Sequence, residues 1–115
     1  MTVTIYHNPR CSKSRATLQL IEASGLKPNV VDYLKTPPAA GELKAILKKL
    51  KLKPRELLRT GEPRYAELGL KDRDLSDDAL IALMVENPIL IERPIVVVGD
   101  KAAIGRPPEA VLKIL

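Results

Sequence analysis

Cys11 and its neighbours are the part of this sequence best equipped for chemistry. The segment reads His7-Asn8-Pro9-Arg10-Cys11-Ser12-Lys13-Ser14-Arg15. Before it, Val3-Thr4-Ile5-Tyr6 is a β-branched and aromatic run that predicts a strand, and His7-Asn8-Pro9 predicts a turn. After it, Ala16, Leu20 and Ala23 recur at helical spacing with Thr17 and Ile21 beside them, and Gly25 follows as a helix stop. The cysteine therefore falls at a helix N-terminus. Unpaired amide N–H groups and the positive end of the helix favour a thiolate there. Arg10, Lys13 and Arg15 add positive charge, His7 adds charge or a hydrogen bond, and Ser12 and Ser14 offer hydroxyls to the sulfur. Together these should lower the thiol pKa from its free value of about 8.5. The same amides and cations would hold an oxyanion. A structural cysteine, small and buried, is the alternative, but inert thiols usually have apolar neighbours and these are polar.

Other cysteine chemistries fit less well. Position 14, where a Cys-x-x-Cys pair would place its second thiol, is Ser14, so any redox cycle must borrow that thiol. Cys11 and Arg15 are too close for a tyrosine-phosphatase loop, which needs five residues between its Cys and Arg. One Cys and one His exclude an internal disulfide, and no metal site is expected. Three arginines stand at junctions between predicted elements: Arg59 at the end of a short helical piece, Arg93 before Pro94, and Arg106 between Gly105 and Pro107. Guanidinium groups bind tetrahedral oxyanions in bidentate fashion. Taken singly, each is better explained as a surface arginine at a turn than as a functional group.

The elements that must position these residues follow from the patterning. Asn29 to Leu34 predicts a second strand, so strand, helix and strand suggest a parallel βαβ unit. Thr36-Pro37-Pro38 breaks the chain and can start a helix, on which Leu43, Ile46, Leu47 and Leu50 form one stripe. Short helical pieces are expected over 55–59 and 64–70. Ser76 is an N-cap with Asp77 and Asp78 in the first turn, and Leu80, Leu83 and Met84 form the buried face until Asn87-Pro88 stops the helix. Ile95-Val96-Val97-Val98 reads as a buried strand, Gly99-Asp100 as a hairpin turn, and Lys101-Ala102-Ala103-Ile104 as its partner. Pro107 to Leu115 predicts a final helix with Ala110, Val111 and Ile114 inward. The order β-α-β, helical block, β-β-α predicts an α/β protein with a mixed four-stranded sheet flanked by helices.

The 115 residues suffice for one domain, and 45% hydrophobic residues argue against disorder. No apolar run reaches the ~18 residues of a membrane helix, and the first residues lack the pattern of a cleaved signal, so a cytoplasmic protein is expected. The net charge of +5 suits either nucleic acid or a small anion. The densest positive stretch, Lys44 to Arg55, fits the solvated face of the Leu43 helix, and no aromatic residues interleave it, so nucleic acid is not expected.

The loop Ile5 to Arg15 resembles the active-site loop of the glutaredoxin-coupled arsenate reductases, the ArsC family. Tyr33-Leu34-Lys35-Thr36-Pro37-Pro38, Leu57-Leu58-Arg59, Tyr65 to Leu70, Asn87 to Val97 and Gly105-Arg106-Pro107-Pro108-Glu109 extend the resemblance over nearly the whole chain. It implies a single thioredoxin-like domain over 1–115, with a helical insertion at about 37–88 between strands 2 and 3. It further implies that Cys11 attacks arsenate, that Arg59, Arg93 and Arg106 bind the oxyanion, and that His7 and Ser14 tune the cysteine. Pro94 matches a cis-proline beside the active cysteine. The implied reductants are glutathione, as co-substrate, and glutaredoxin; no bound cofactor is implied. Two other functions share parts of the pattern. One is a glutathione-linked thiol oxidoreductase acting on another substrate. The other is a non-enzymatic regulator resembling Spx, which binds RNA polymerase but usually carries Cys-x-x-Cys at this loop.

Overall fold

The strand at the front of the chain becomes the centre of the sheet. In the computed structural model, which describes residues 2–115, β1 (Val3–His7) lies between β2 (Asn29–Asp32) and β3 (Ile95–Val98), and β4 (Lys101–Ile104) closes the order β2-β1-β3-β4. β1 pairs with β2 in parallel and with β3 antiparallel, so the sheet is mixed. This is the thioredoxin-like arrangement, with the helical segment inserted between β2 and β3. Strand alternation puts Val3, Ile5 and His7 on one face. Val98 and Val96 stand opposite Val3 and Ile5 and share that face. α1 (Ser12–Ala23) brings Ile21 to it and the C-terminal turns bring Val111, forming a core with Leu18, Leu26, Ala103 and Ile114 at its margin. Full burial of Ile5, Ile21 and Val96 contributes roughly 1.5–3 kcal/mol each relative to exposure.

The chain divides into two compact units: the residues up to Thr36 together with Arg93–Leu115, and Pro37–Glu92. The first holds the sheet. The second holds α2 (Ala40–Leu50), α3 (Pro63–Glu67) and α4 (Asp77–Glu86) with short 3₁₀ turns. In it Leu43, Ile46 and Leu47 are buried as the stripe predicts, and the Ser76 hydroxyl accepts from the Ala79 N–H at 3.2 Å as an N-cap.

The structure corrects several boundaries. α2 starts at Ala40, because a residue before proline is pushed out of the helical region and Thr36 and Pro37 both precede one. The piece at 55–59 is a 3₁₀ turn over Pro54–Leu57. Leu58 is extended and bridges Ile91, and Arg59 donates its N–H to Leu90 O at 2.8 Å. On α4, Ile81 joins Leu80 and Met84 in the interior while Leu83 is half-buried. The last helix is 3₁₀ over Pro108–Ile114, with Val111 buried and Ala110 and Ile114 half-buried.

Candidate active site

The strand-to-helix turn sets the site. Cys11 is the N-cap of α1 with extended backbone (φ −96°, ψ 123°). Its N–H donates to Asn8 O at 3.0 Å and its O accepts from the Arg15 N–H at 3.0 Å. Asn8 Oδ1 accepts from the Arg10 N–H at 3.0 Å, an Asx-turn that holds the loop. The Arg15 guanidinium donates to Pro9 O at 2.9 Å, so its charge is anchored at the turn.

The Cys11 sulfur occupies the place where an N-cap oxygen would accept from the second and third residues of the helix. It makes no capping hydrogen bond of ordinary length. Burial pushes its pKa up, and this is the largest single influence. The backbone N–H of Ser14, the Arg93 guanidinium, the backbone N–H of Lys13 and the Arg106 guanidinium together outweigh it, so the thiol lies below its ordinary value. The helix-terminus expectation is thus met by backbone amides. The cations that act are Arg93 and Arg106, rather than the sequence neighbours Arg10, Lys13 and Arg15.

Ser14 does something the sequence did not show. Its hydroxyl turns away from the sulfur role expected of it and meets His7 Nδ1 at 2.7 Å and the Asn8 N–H at 3.0 Å. His7 reaches it because strand alternation places its ring on the face that α1 covers. Ser14 is fully buried, and His7 and Asn8 are nearly so. His7 lies below its ordinary pKa: burial lowers it most, Asp32 raises it and Arg15 lowers it. Its neutral ring is therefore favoured, and it supplies a hydrogen bond rather than charge.

Arg93 and Arg106 approach the site along the peptide that precedes Pro94 and the loop after β4. Both the Arg93–Pro94 and Arg106–Pro107 bonds are cis; the resemblance implied the first only. Arg106 Nη1 donates to Arg93 O at 3.4 Å, a weak contact. Between them, Gly105 donates its N–H to Pro94 O at 3.0 Å. A Cβ there would lie 2.8 Å from Pro94 Cγ and closer still to the Thr17 hydroxyl, which explains glycine at this position. The close approach depends on the loop after β4 packing against Thr17 of α1 and Pro94, partners distant in sequence. Arg59 belongs to the other compact unit. There its guanidinium pairs with Glu62 at 3.3 Å and donates to Ile89 O at 3.2 Å. Among the described residues no cluster of three or more His, Cys, Asp or Glu could hold a metal ion, and no helix is long and apolar enough to cross a membrane.

Comparison with known proteins places this geometry. The model of the ArsC family matches residues 6–114. A protein of Escherichia coli K12, "Uncharacterized protein YfgD", is 57% identical over 98% of this chain and 96% of its own. A Haemophilus influenzae protein named arsenate reductase is 50% identical over the full length of both. The solved structure titled arsenate reductase from Vibrio cholerae superposes with a TM-score of 0.96 at 55% identity, covering 100% of this chain and 98% of that one.

Proposed function

Because the chain belongs to the ArsC family, we propose that it reduces arsenate to arsenite through a covalent adduct on Cys11, with glutathione and glutaredoxin as reductants. The observation that carries this reading is the lowered thiol of Cys11 at the α1 N-terminus, with Arg93 and Arg106 acting on it. An anionic thiolate must approach an anionic substrate. The two guanidinium groups and the α1 amides offset that repulsion and favour the charge that builds up on the oxyanion.

The Cys11 thiolate displaces one oxygen of arsenate, which leaves as water after protonation, and a sulfur–arsenic bond forms. A glutathione thiolate then attacks Cys11 Sγ. The sulfur–sulfur bond forms as the sulfur–arsenic bond breaks. The bonding pair stays on arsenic, which falls from the pentavalent to the trivalent state while two thiolates become one disulfide. Glutaredoxin resolves the mixed disulfide by thiol exchange. His7 and Ser14 are positioning residues: the Ser14 hydroxyl ties the Asn8 turn and His7 to α1, while the Ser14 backbone N–H favours the thiolate. The resemblance adds Arg59 as a third oxyanion ligand, for which Arg59→Leu should raise the KM for arsenate.

The Spx-like alternative leans on the basic 44–55 stretch. Within its unit that stretch has local roles: Lys44 pairs with Asp78 at 2.9 Å, and the Arg55 guanidinium donates to Leu70 O at 3.0 Å and Arg73 O at 2.7 Å. The test is arsenate-dependent NADPH oxidation coupled through glutathione, glutaredoxin and glutathione reductase. Turnover by wild type that Cys11→Ser abolishes supports the proposal. Folded wild type without turnover overturns the arsenate assignment.

A further inference from the structure

The reaction above leaves without a role a crevice that borders the loop before Cys11. It lies beyond the C-terminal ends of the parallel strands β1 and β2. A groove of about 360 Å³ opens there, lined by Asn8, Pro9, Arg10, Asp32, Leu34 and Lys35. That volume is within the range of small-molecule sites. The β1–β2 register sets His7 opposite Asp32, so two segments leave the sheet side by side, one toward Arg10 and Cys11 and the other toward Lys35. Both are held. The Asx-turn fixes Asn8 and Arg10, and Asp32 O accepts from the N–H groups of Lys35 at 3.1 Å and Thr36 at 2.9 Å. Arg10 and Lys35 are exposed, and Asp32 is half-buried.

We propose that this groove is the glutathione subsite, with Arg10 and Lys35 taking the two carboxylates of the tripeptide and Asp32 its α-ammonium. The identity of the occupant rests on the reading under Proposed function. The groove presents two cations and one anion; glutathione presents two anions and one cation. A simple oxyanion would gain nothing from Asp32, which separates this groove from the arsenate-binding arginines. Arg10, at one end of the groove, is the residue before Cys11, so a tripeptide seated there lies next to the loop that carries the cysteine. Its occupant would be the source of the second thiol that this one-cysteine chain must borrow.

The test titrates S-methylglutathione, which binds but cannot react, into wild type and Lys35→Glu by calorimetry. Lys35 is exposed, and circular dichroism checks that the variant keeps its fold. Wild type should bind, and Lys35→Glu should bind about tenfold more weakly, the equivalent of ~1.4 kcal/mol. N-acetyl-S-methylglutathione, which lacks the ammonium, should bind wild type more weakly by a similar factor and so report on Asp32 without a mutation. Equal affinity of wild type and Lys35→Glu, or no binding to wild type, overturns the subsite. In turnover, the ratio of kcat/KM for glutathione to that for mercaptoethanol should fall about tenfold in Lys35→Glu; an unchanged ratio overturns it. The calorimetry needs no arsenate reduction, so a failure of the reductase reading and a failure of this subsite give different results.

Discussion

Removing the Ser14 hydroxyl should cost stability while leaving the thiol activated. That hydroxyl is fully buried and serves two partners, the Asn8 N–H at 3.0 Å and His7 Nδ1 at 2.7 Å. Assigning its hydrogen to the ring lets it accept from Asn8 and donate to His7 at once, which matches the neutral His7 that burial favours. Ser14→Ala leaves both partners buried without it. Each unsatisfied group costs about 1–3 kcal/mol, and partial relaxation of the ring brings the sum to about 2–4 kcal/mol. Against a typical domain stability of about 5–15 kcal/mol, the variant should fold but unfold at markedly lower denaturant. Urea unfolding followed by circular dichroism reads this as a lower midpoint at unchanged slope. The Cys11 thiol should stay below its ordinary value in the same variant, because the backbone N–H of Ser14 favours the thiolate and survives the substitution. Titration of the thiolate by ultraviolet absorbance measures it. A stability loss under about 0.5 kcal/mol, or a thiol returned to its ordinary value in folded protein, would refute the division of labour between hydroxyl and amide.

Three further outcomes follow from the same geometry. Alkylation of Cys11 by iodoacetamide should persist below the usual thiol range, and Arg93→Leu or Arg106→Leu should each move the rate profile to higher pH, whereas Arg10→Leu should move it less. Gly105→Ala should destabilise the fold by about 1–3 kcal/mol in urea unfolding, since its methyl would overlap Pro94 and Thr17. Because His7 has a lowered folded-state pKa, its stabilising contribution is complete above its unfolded value of about 6.5 and fades as pH falls through the folded value; His7→Gln should flatten that part of the stability-versus-pH curve.

The sequence was informative wherever an element is defined by its own residues. The β-branched runs Val3–Tyr6 and Ile95–Val98, the Gly99-Asp100 turn and the helix opening at Cys11 each carry local signals, and all four appear in the structure. What it hid depends on distant partners. Leu58 reads as helical beside Leu57, yet its bridge to Ile91 draws it into an extended conformation. Ser14 looks like a polar ligand for the neighbouring sulfur, and only the packing of α1 over β1 shows that its hydroxyl belongs to His7. The cations nearest Cys11 in sequence are not those that lower its pKa, because β3 and the loop after β4 bring Arg93 and Arg106 to it from the far end of the chain. Prolines 107 and 108 mark a helix start correctly, but the segment after them tightens into 3₁₀ turns.

The central claim is that Cys11 alone carries the covalent chemistry and borrows its second thiol. Intact-mass spectrometry of the protein incubated with arsenate and glutathione, without glutaredoxin, tests it most directly. The account predicts one reducible glutathione on Cys11 per chain, one equivalent of arsenite released with it, and neither product when arsenate is omitted or Cys11→Ser is used. Arsenite formed without the glutathione adduct, or formed equally by Cys11→Ser, would contradict it.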